Sequence, residues 1–507
     1  MAQRGPTPWP LLISFVRLSS MTSLLLGDLN DYIQPSVACI KPGVSSELEK
    51  IESHTDSKQE QAITVNLNDC LACSGCITSA ESVLITEQTH QKLYSVLAAN
   101  KTASLEQKKW VVISICAASR TALCKLFELS ALSVWRRLVT FFREILSVEL
   151  IFDTTFGAAF ALHESAQEFV QRYREHVESK SNNKLMKPML SSECPGWICF
   201  AEKRHPAMLG QICTVRSPQQ IVGALIKTYL AELLNIDGSK IYHVSIQACY
   251  DKKLEASRED FTSPEPGPDG EKIRDVDCVI ATTELLKMIE EKVPEGFTSL
   301  AEAKVGGISR DAFNTIFRCP VTGEYQMRRY PGSSAGGYIF YIMRYAAKEL
   351  FGYDLCEDIC LDPRIKITHH RSNVDFTEFT LTNNDNEEML LRFAAIYGFK
   401  NIQTFVQKAK INRIDYHFIE VMACPGACLF GGGQPKILPG KQVQIEHRAG
   451  MECYYNQILA FTQEHHEHVQ RVWSWLNAVP GRRQCLLHTQ YRSLEEANNK
   501  PRINVFW

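Results

Sequence analysis

From Trp110 onward, the apolar residues of the chain follow the pattern of an α/β protein. The run WVVISICA, residues 110–117, is apolar and β-branched, which predicts a buried parallel strand. LSVWRRLVTFFREIL, residues 132–146, has the apolar spacing of a helix, and VELIFDTT, residues 148–155, repeats the strand signal. HESAQEFVQRYREHVE, residues 163–178, predicts an amphipathic helix with its charges on one face.

Two later strands share a chemical feature, because each ends in a cysteine. KIYHVSIQAC ends at Cys249, and YHFIEVMAC ends at Cys424. In open α/β sheets, ligands gather at the carboxyl ends of the strands. We therefore expect these two cysteines to lie at a binding site.

The amino-terminal part of the chain does not show this α/β pattern. WPLLISFVRLSS, residues 9–20, holds a short apolar run that Arg17 interrupts, and no signal-peptide cleavage pattern follows it. No other segment reaches about 18 uninterrupted apolar residues, so we expect a soluble chain without a membrane partner. Residues 47–61 are polar and charged, which is typical of a linker.

Composition narrows the class of protein. The 507 residues exceed one ordinary hydrophobic core, and a net charge of −2 predicts no nucleic-acid partner. Eighteen cysteines are many for a long, core-forming chain, which favours metal or cluster ligation over a disulfide scaffold. The isolated cysteines are predicted to be core thiols, namely Cys116, Cys213, Cys278 and Cys319.

The segment DCLACSGC carries the strongest chemical motif. Cys70, Cys73 and Cys76 have C-x2-C-x2-C spacing, which presents three thiolates from one tight loop, as in ferredoxin-type cluster sites. Structural zinc is the alternative, although zinc usually takes two ligands from one knuckle. Cys39, in SVACIKP, is the upstream candidate for a fourth ligand.

Four further cysteines come from three separate segments. SSECPGW supplies Cys194, ACYDKK supplies Cys249, and MACPGAC supplies Cys424 and Cys428. Four thiolates are enough for a second 4Fe-4S cluster. The glycines at 431–433 are expected to let the backbone pass close to that cofactor.

SSECPGW, RSPQQIVG, ACYDKKLEA, GSSAGGY, RFAAIYGF and MACPGACLFGGGQP together resemble the iron-only hydrogenase family, from Trp110 to the carboxyl terminus. DLNDYIQPSVACIKP and DCLACSGC are similar to the nuclear prelamin A recognition factor-like branch, which belongs to the cytosolic iron–sulfur assembly machinery. The resemblance implies two 4Fe-4S clusters, the first on Cys39, Cys70, Cys73 and Cys76, and the second on Cys194, Cys249, Cys424 and Cys428.

The resemblance also implies a fold and a domain order. We expect an α/β, two-lobed iron-only-hydrogenase-like body with parallel sheets, a small N-terminal iron–sulfur domain and a helical C-terminal segment. The expected boundaries are a disordered extension over 1–30, the iron–sulfur domain over 31–105, the large-subunit-like body over 106–440, and the small-subunit-like segment over 441–507.

Departures from the hydrogenase pattern favour an assembly factor over an enzyme. Hydrogenases carry a proton-donating cysteine where this chain has Glu193, and a methionine-proline pair where it has Gln247 and Ala248. Only one amino-terminal cysteine run is present. Lys252 and Ser217 match positions near the hydrogenase active cluster, although both can equally be structural.

These observations predict a cytoplasmic and also nuclear iron–sulfur assembly factor without enzyme activity. An iron-only hydrogenase or related redox enzyme is the first alternative, and a nuclear prelamin-binding interaction protein is the second. The expected partners are an upstream scaffold and the cytosolic iron–sulfur targeting complex. Trp507, the terminal residue, either anchors the chain on that complex or packs on its own lobe.

Overall fold

The computed structural model describes residues 79–104, 106–179, 186–267, 270–303, 328–329, 332, 336–383, 388–436, 441–460 and 467–493. Within them the strands are β1 Trp110–Ile115, β2 Leu150–Asp153, β3 Met189–Ser191, β4 Ile241–Gln247, β5 Cys278–Ala281, β6 Arg328–Arg329, β7 Ile365–His369, β8 Phe376–Thr382, β9 Met389–Tyr397, β10 Phe418–Met422 and β11 Leu459–Ala460.

The α-helices of the same residues are α1 Ser79–Glu87, α2 His90–Thr102, α3 Ala117–Phe127, α4 Ala131–Thr140, α5 Thr155–Glu178, α6 Pro195–Arg204, α7 Pro218–Leu225, α8 Ala231–Leu234, α9 Asp251–Ala256, α10 Thr282–Lys292, α11 Tyr338–Phe351, α12 Phe399–Lys410, α13 Lys441–Asn456, α14 Glu467–Ala478 and α15 Arg482–Leu487.

The first sheet has the order β2-β1-β4-β5, and all its strand pairs are parallel. Its strands are buried on both faces, which explains why they read as continuous apolar runs in the sequence. The predicted strands at 110–117, 148–155 and 240–249 are all present. This confirms the α/β prediction for the first lobe.

The second sheet has the order β3-β10-β9-β8-β7 and is mixed. The pairs β3/β10 and β10/β9 are parallel, whereas β8 pairs antiparallel with both β9 and β7. The sequence patterns do not predict this antiparallel edge. One continuous core of buried residues includes strands of both sheets, so the two lobes pack on each other.

The helices differ from their predicted ranges for packing reasons. Helix α5 begins at Thr155, eight residues before the amphipathic stretch, because TFGAAFAL is apolar and buried along its whole length. Helix α4 ends at Thr140, and residues Phe141–Ile145 continue it as a π-helical turn. The prediction of helix was right in both places, and only the predicted start of α5 was wrong.

The carboxyl-terminal segment is helical, as predicted, and folds back on the body. A backbone bridge joins Val215 to His488, and Thr489 N donates to Thr214 O at 2.7 Å. Arg483 and His488 both contact the buried carboxylate of Glu164 on helix α5. Among the described residues, no helix is both long enough and apolar enough to cross a membrane.

Candidate iron–sulfur site

Three segments at the carboxyl ends of parallel strands carry the four later cysteines. Cys194 follows β3, Cys249 follows β4, and Cys424 follows β10 at the same edge of the second sheet as Cys194. Cys428 lies in a short helical turn, Ala427–Phe430, immediately beyond Cys424. The strand order therefore brings cysteines from both sheets to one site between the lobes.

Burial and mutual proximity both affect these thiols. Burial raises the pKa of Cys249 well above its ordinary value, and the negative charges of Asp251, Cys424 and Cys194 raise it further. Burial likewise raises the pKa of Cys428, with added contributions from Glu193 and Cys194. Burial also raises the pKa of Cys194, to about 11. Four crowded thiols in such surroundings become thiolates only when bound cations compensate their charge.

Four thiolates from separate segments are the ligand set of a 4Fe-4S cluster, because each cysteine binds a different corner of it. Within the described part of the chain, no group of three or more His, Cys, Asp or Glu side chains is close enough together to hold one metal ion. The chemistry of the four thiols therefore fits a 4Fe-4S group.

Backbone N–H groups point at three of the four sulfurs. Asp251 N donates to Cys249 Sγ at 3.3 Å, and Ala423 N donates to Cys194 Sγ at 3.5 Å. The N–H of Gly432 donates to the Cys424 sulfur, an interaction that lowers the pKa of this thiol against the larger effect of burial. Hydrogen bonds of this kind stabilise thiolates and tune the potential of a bound cluster.

The glycines near Cys428 pack against another cysteine segment. A Cβ added at Gly431 would lie 2.3 Å from the carbonyl oxygen of Ala248, and one at Gly433 would lie 3.1 Å from it. Gly433 N also donates to Ala248 O at 2.9 Å. Because Ala248 directly precedes Cys249, these glycines allow two cysteine-bearing segments to approach each other.

Charged groups surround Cys428. Its Sγ lies 3.5 Å from Glu193 Oε1, and burial raises the pKa of that carboxyl group despite the nearby Lys252. Lys252 Nζ donates to Glu255 Oε2 at 3.0 Å. Burial opposes the charge of Lys252, but the carboxylates of Glu255 and Glu193 outweigh it and raise the lysine pKa. A buried ammonium group therefore stands beside the site.

The contacts of Ser217 are structural. Its hydroxyl donates to Glu255 Oε2 at 3.0 Å, and its oxygen caps helix α7. Ser217 therefore helps to fix Glu255, which in turn holds Lys252.

Two residues at the site were missed by the sequence reasoning. Asp251 is 2% exposed beside Cys249, and burial raises its pKa to about 7. Cys116, predicted to be a core thiol, is only half buried and lines a cavity together with Cys249 and Cys428. The signal for Cys116 was present, because WVVISIC is a third strand that ends in a cysteine. Cys213 and Cys278 are buried as predicted.

The other predicted ligands cannot be placed. Cys39, Cys70, Cys73 and Cys76 lie outside the described residues, as do Cys319 and Trp507. The first described helix, α1, begins three residues after Cys76. Between α1 and α2, Gln88 Nε2 donates to Lys253 O at 2.9 Å, and Lys253 Nζ donates back to Gln88 O at 2.6 Å. The segment that follows the cysteine run is thus fastened to helix α9, which begins two residues after Cys249.

Comparison with known proteins identifies the family. A family model described as iron only hydrogenase large subunit, C-terminal domain, matches residues 109–432. Cytosolic iron-sulfur assembly component 3 of Rattus norvegicus is 40% identical over 96% of this chain and 98% of its own length. The protein named cytosolic Fe-S cluster assembly factor narfl of Xenopus tropicalis is 39% identical over 95% of this chain and 98% of its own length.

The fold matches solved structures as well. The structure of an apo FeFe-hydrogenase from Chlamydomonas reinhardtii aligns with 79% of this chain over 98% of the hydrogenase chain. The TM-score is 0.63 and the sequence identity is 24%. At this identity the likeness establishes the fold alone. The full-length relatives and the family model confirm the resemblance expected from the cysteine motifs. Its residues 109–432 match the iron-only hydrogenase large-subunit domain, and the chain belongs to the cytosolic iron–sulfur assembly component 3 family.

Proposed function

We propose that this chain is a cytosolic iron–sulfur protein assembly factor that carries two 4Fe-4S clusters. It mediates cluster transfer from an early scaffold to the targeting complex that matures cytosolic and nuclear iron–sulfur proteins. The observation that carries the proposal is the meeting of Cys194, Cys249, Cys424 and Cys428 at the ends of parallel strands. The names of the full-length relatives support the same function.

The two clusters have different surroundings in this proposal. The first is held by Cys39, Cys70, Cys73 and Cys76, three of which come from one short loop. The second is held by the four cysteines between the lobes. In this proposal the loop thiols of the first site are accessible from solvent, whereas the strand-end thiols of the second site are shielded from it.

In this proposal the residues around the second site bind the cluster and shield it from solvent. Bound there, a 4Fe-4S cluster supplies iron and sulfide for transfer or an electron for the process. The backbone N–H groups of Asp251, Ala423 and Gly432 orient three sulfurs. Lys252 offsets negative charge from a buried position.

Iron and acid-labile sulfide measured on anaerobically purified protein test the proposal. We expect about eight irons per chain and about four after Cys249→Ser. Cys485→Ser is the matched control, because Cys485 is exposed and belongs to the carboxyl-terminal helix α15. Wild-type protein with about four irons or fewer, or equal iron in both variants, would contradict the two-cluster assignment.

A hydrogenase remains the second candidate function because a cavity adjoins Cys249 and Cys428 in a hydrogenase-like fold. We propose that the chain does not turn over hydrogen, since Glu193 stands where hydrogenases have their proton-donating cysteine. Infrared bands of iron-bound carbonyl or cyanide in the purified protein would support the hydrogenase instead.

For partner binding, we propose that Trp507 docks on the targeting complex in the cytoplasm. An aromatic ring in a pocket of the partner is a common anchor of protein interfaces. Deleting Trp507, or appending one residue, should weaken a pull-down with the targeting complex while iron content stays constant. Unchanged binding with a lowered melting temperature would show that Trp507 is a packing residue.

A further inference from the structure

A small cavity of about 80 Å³ adjoins the second cluster site. Cys249 and Cys428 line it, whereas Cys194 and Cys424 do not, so it lies on one side of the four-cysteine group. The other lining groups that matter chemically are Cys116, Glu193, Gln219 and Lys252.

Cys116 reaches this cavity because of its place in the first sheet. It directly follows β1, the neighbour of β4, and its backbone N donates to Ile246 O at 3.0 Å. Its sulfur accepts hydrogen bonds from Ser119 N at 3.3 Å and from the N–H of Ala248. Ala248 immediately precedes Cys249. The Cys116 sulfur is thus fastened to the backbone that also positions a cluster ligand.

The cavity also holds an unmet hydrogen-bond acceptor. Gln219 is 2% exposed, and its Oε1 has no hydrogen-bond partner among the described residues. Its Nε2 is occupied, because it donates to Lys252 O at 3.2 Å and to Glu255 Oε2 at 3.0 Å. A buried acceptor of this kind favours a polar donor in the cavity. A protonated cysteine thiol is such a donor.

Cys428 is the ligand best placed to move into that space. Backbone N–H groups hold the sulfurs of Cys194, Cys249 and Cys424. The Cys428 sulfur contacts the Glu193 carboxyl group instead, and it lies on a short turn beyond the strand. Cys428 is therefore the ligand whose sulfur contacts a side chain rather than a backbone N–H group, and it shares the cavity with the Cys116 thiol.

We propose that Cys116 is a fifth, exchangeable ligand of this site, which replaces Cys428 on iron when a cluster is prepared for transfer. The Cys116 sulfur forms a bond to the iron that Cys428 releases. The proton lost by Cys116 ends on the Cys428 sulfur, whose S–H then faces the cavity, and no electron changes hands. The proposal rests on the proposed function, because it requires a cluster on the four cysteines.

Single and double variants of the full chain, reconstituted anaerobically, test the exchange. Cys428→Ala should keep about eight irons per chain and show an altered EPR spectrum, because Cys116 takes over the free corner. The double variant Cys116→Ala/Cys428→Ala should fall to about four irons. Cys194→Ala is the matched control, since Cys194 lies away from the cavity, and its iron content should not depend on Cys116.

A second measurement uses a single variant, so that it does not depend on the folding of the double one. In Cys428→Ala, the loaded protein should protect Cys116 from alkylation, measured by mass spectrometry, while removal of iron should expose it. Loss of the second cluster in Cys428→Ala with Cys116 present, or equal alkylation with and without iron, would overturn the proposal. About four irons in the wild-type protein would refute the two-cluster assignment and this exchange with it.

Discussion

The buried carboxylate of Glu164 fastens the carboxyl-terminal segment to the body, and we expect Glu164→Gln to release that segment locally. Arg483 Nε lies 2.6 Å from Glu164 Oε1, and Arg483 Nη2 lies 2.9 Å from Oε2. His488 Nε2 contacts Oε2 at 2.9 Å, and His488 Nδ1 contacts Thr214 Oγ1 at 2.8 Å. Glu164 is 2% exposed, so its contacts with Arg483 and His488 replace most of the water around the carboxylate. We call these contacts the Glu164 clamp.

The expected loss of stability of the carboxyl-terminal segment follows from these contacts. An amide accepts through one oxygen only, so its NH2 group would face one of the former donors. Hydrogen bonds to charged groups contribute about 1.5–3 kcal/mol each, and breaking a buried pair costs about 3–5 kcal/mol. The Arg483 side chain is 36% exposed and stays partly hydrated, which favours the lower limit. We therefore expect Glu164→Gln to lower the free energy of opening this segment by about 3 kcal/mol. This raises the equilibrium constant for opening roughly a hundredfold.

Hydrogen exchange read by mass spectrometry measures this opening directly. Peptides covering residues 482–489 should exchange roughly a hundredfold faster in Glu164→Gln, while peptides covering strand β4 should stay unchanged. Glu175→Gln, at an exposed position of the same helix, is the control. If exchange of residues 482–489 is unchanged in Glu164→Gln, or rises equally throughout the chain, the clamp does not hold this segment on the body.

Three further predictions concern stability, the amino-terminal site and activity. Burial lowers the pKa of His243 to about 4 from 6.5, so the unfolded state binds more protons between these values. The free energy of unfolding should therefore fall by about 3 kcal/mol as pH drops through this window, whereas urea midpoints of His243→Asn should depend less on pH. Equal pH profiles of the two proteins would contradict this. Cys73→Ala should remove one cluster's absorbance and EPR signal from a folded body, and insolubility of the variant would show that the site is integral to the core. Hydrogen turnover with a viologen dye should not exceed a metal-free control, and turnover abolished by Cys428→Ala would favour the hydrogenase.

The meeting of the four later cysteines was largely predictable because its signals are local. Apolar runs that end in cysteine mark strand ends, and parallel strands bring such ends to one edge of a sheet. Cys249 and Cys424 satisfy this rule, as does Cys116, which was nevertheless assigned to the core. The rule alone does not say which strands are neighbours. Only the observed order β2-β1-β4-β5 places Cys116 beside the Cys249 segment.

Features that depend on distant pairing were not predictable. The antiparallel strands β7 and β8 have ordinary strand patterns, and nothing local distinguishes their direction. Glu164 reads as a surface charge of an amphipathic helix, yet it is buried because Arg483 and His488, more than 300 positions later, cover it. A charged residue at such a position is buried only when its partners arrive from elsewhere in the fold.

The surroundings of Cys428 separate binding from catalysis more clearly than the fold does. A hydrogen-producing site needs a proton donor that gives up its proton beside the reacting metal, and it needs space for the added metal group. Here the Glu193 carboxyl group contacts the Cys428 sulfur itself, and the charge of Lys252 is already balanced by Glu255 and Glu193. The remaining cavity of about 80 Å³ ends at another thiol, Cys116. In the exchange that we propose, the Cys116 thiol that lines this cavity would take the place of Cys428 on a bound cluster, and such a change of ligands is what transfer of a cluster requires.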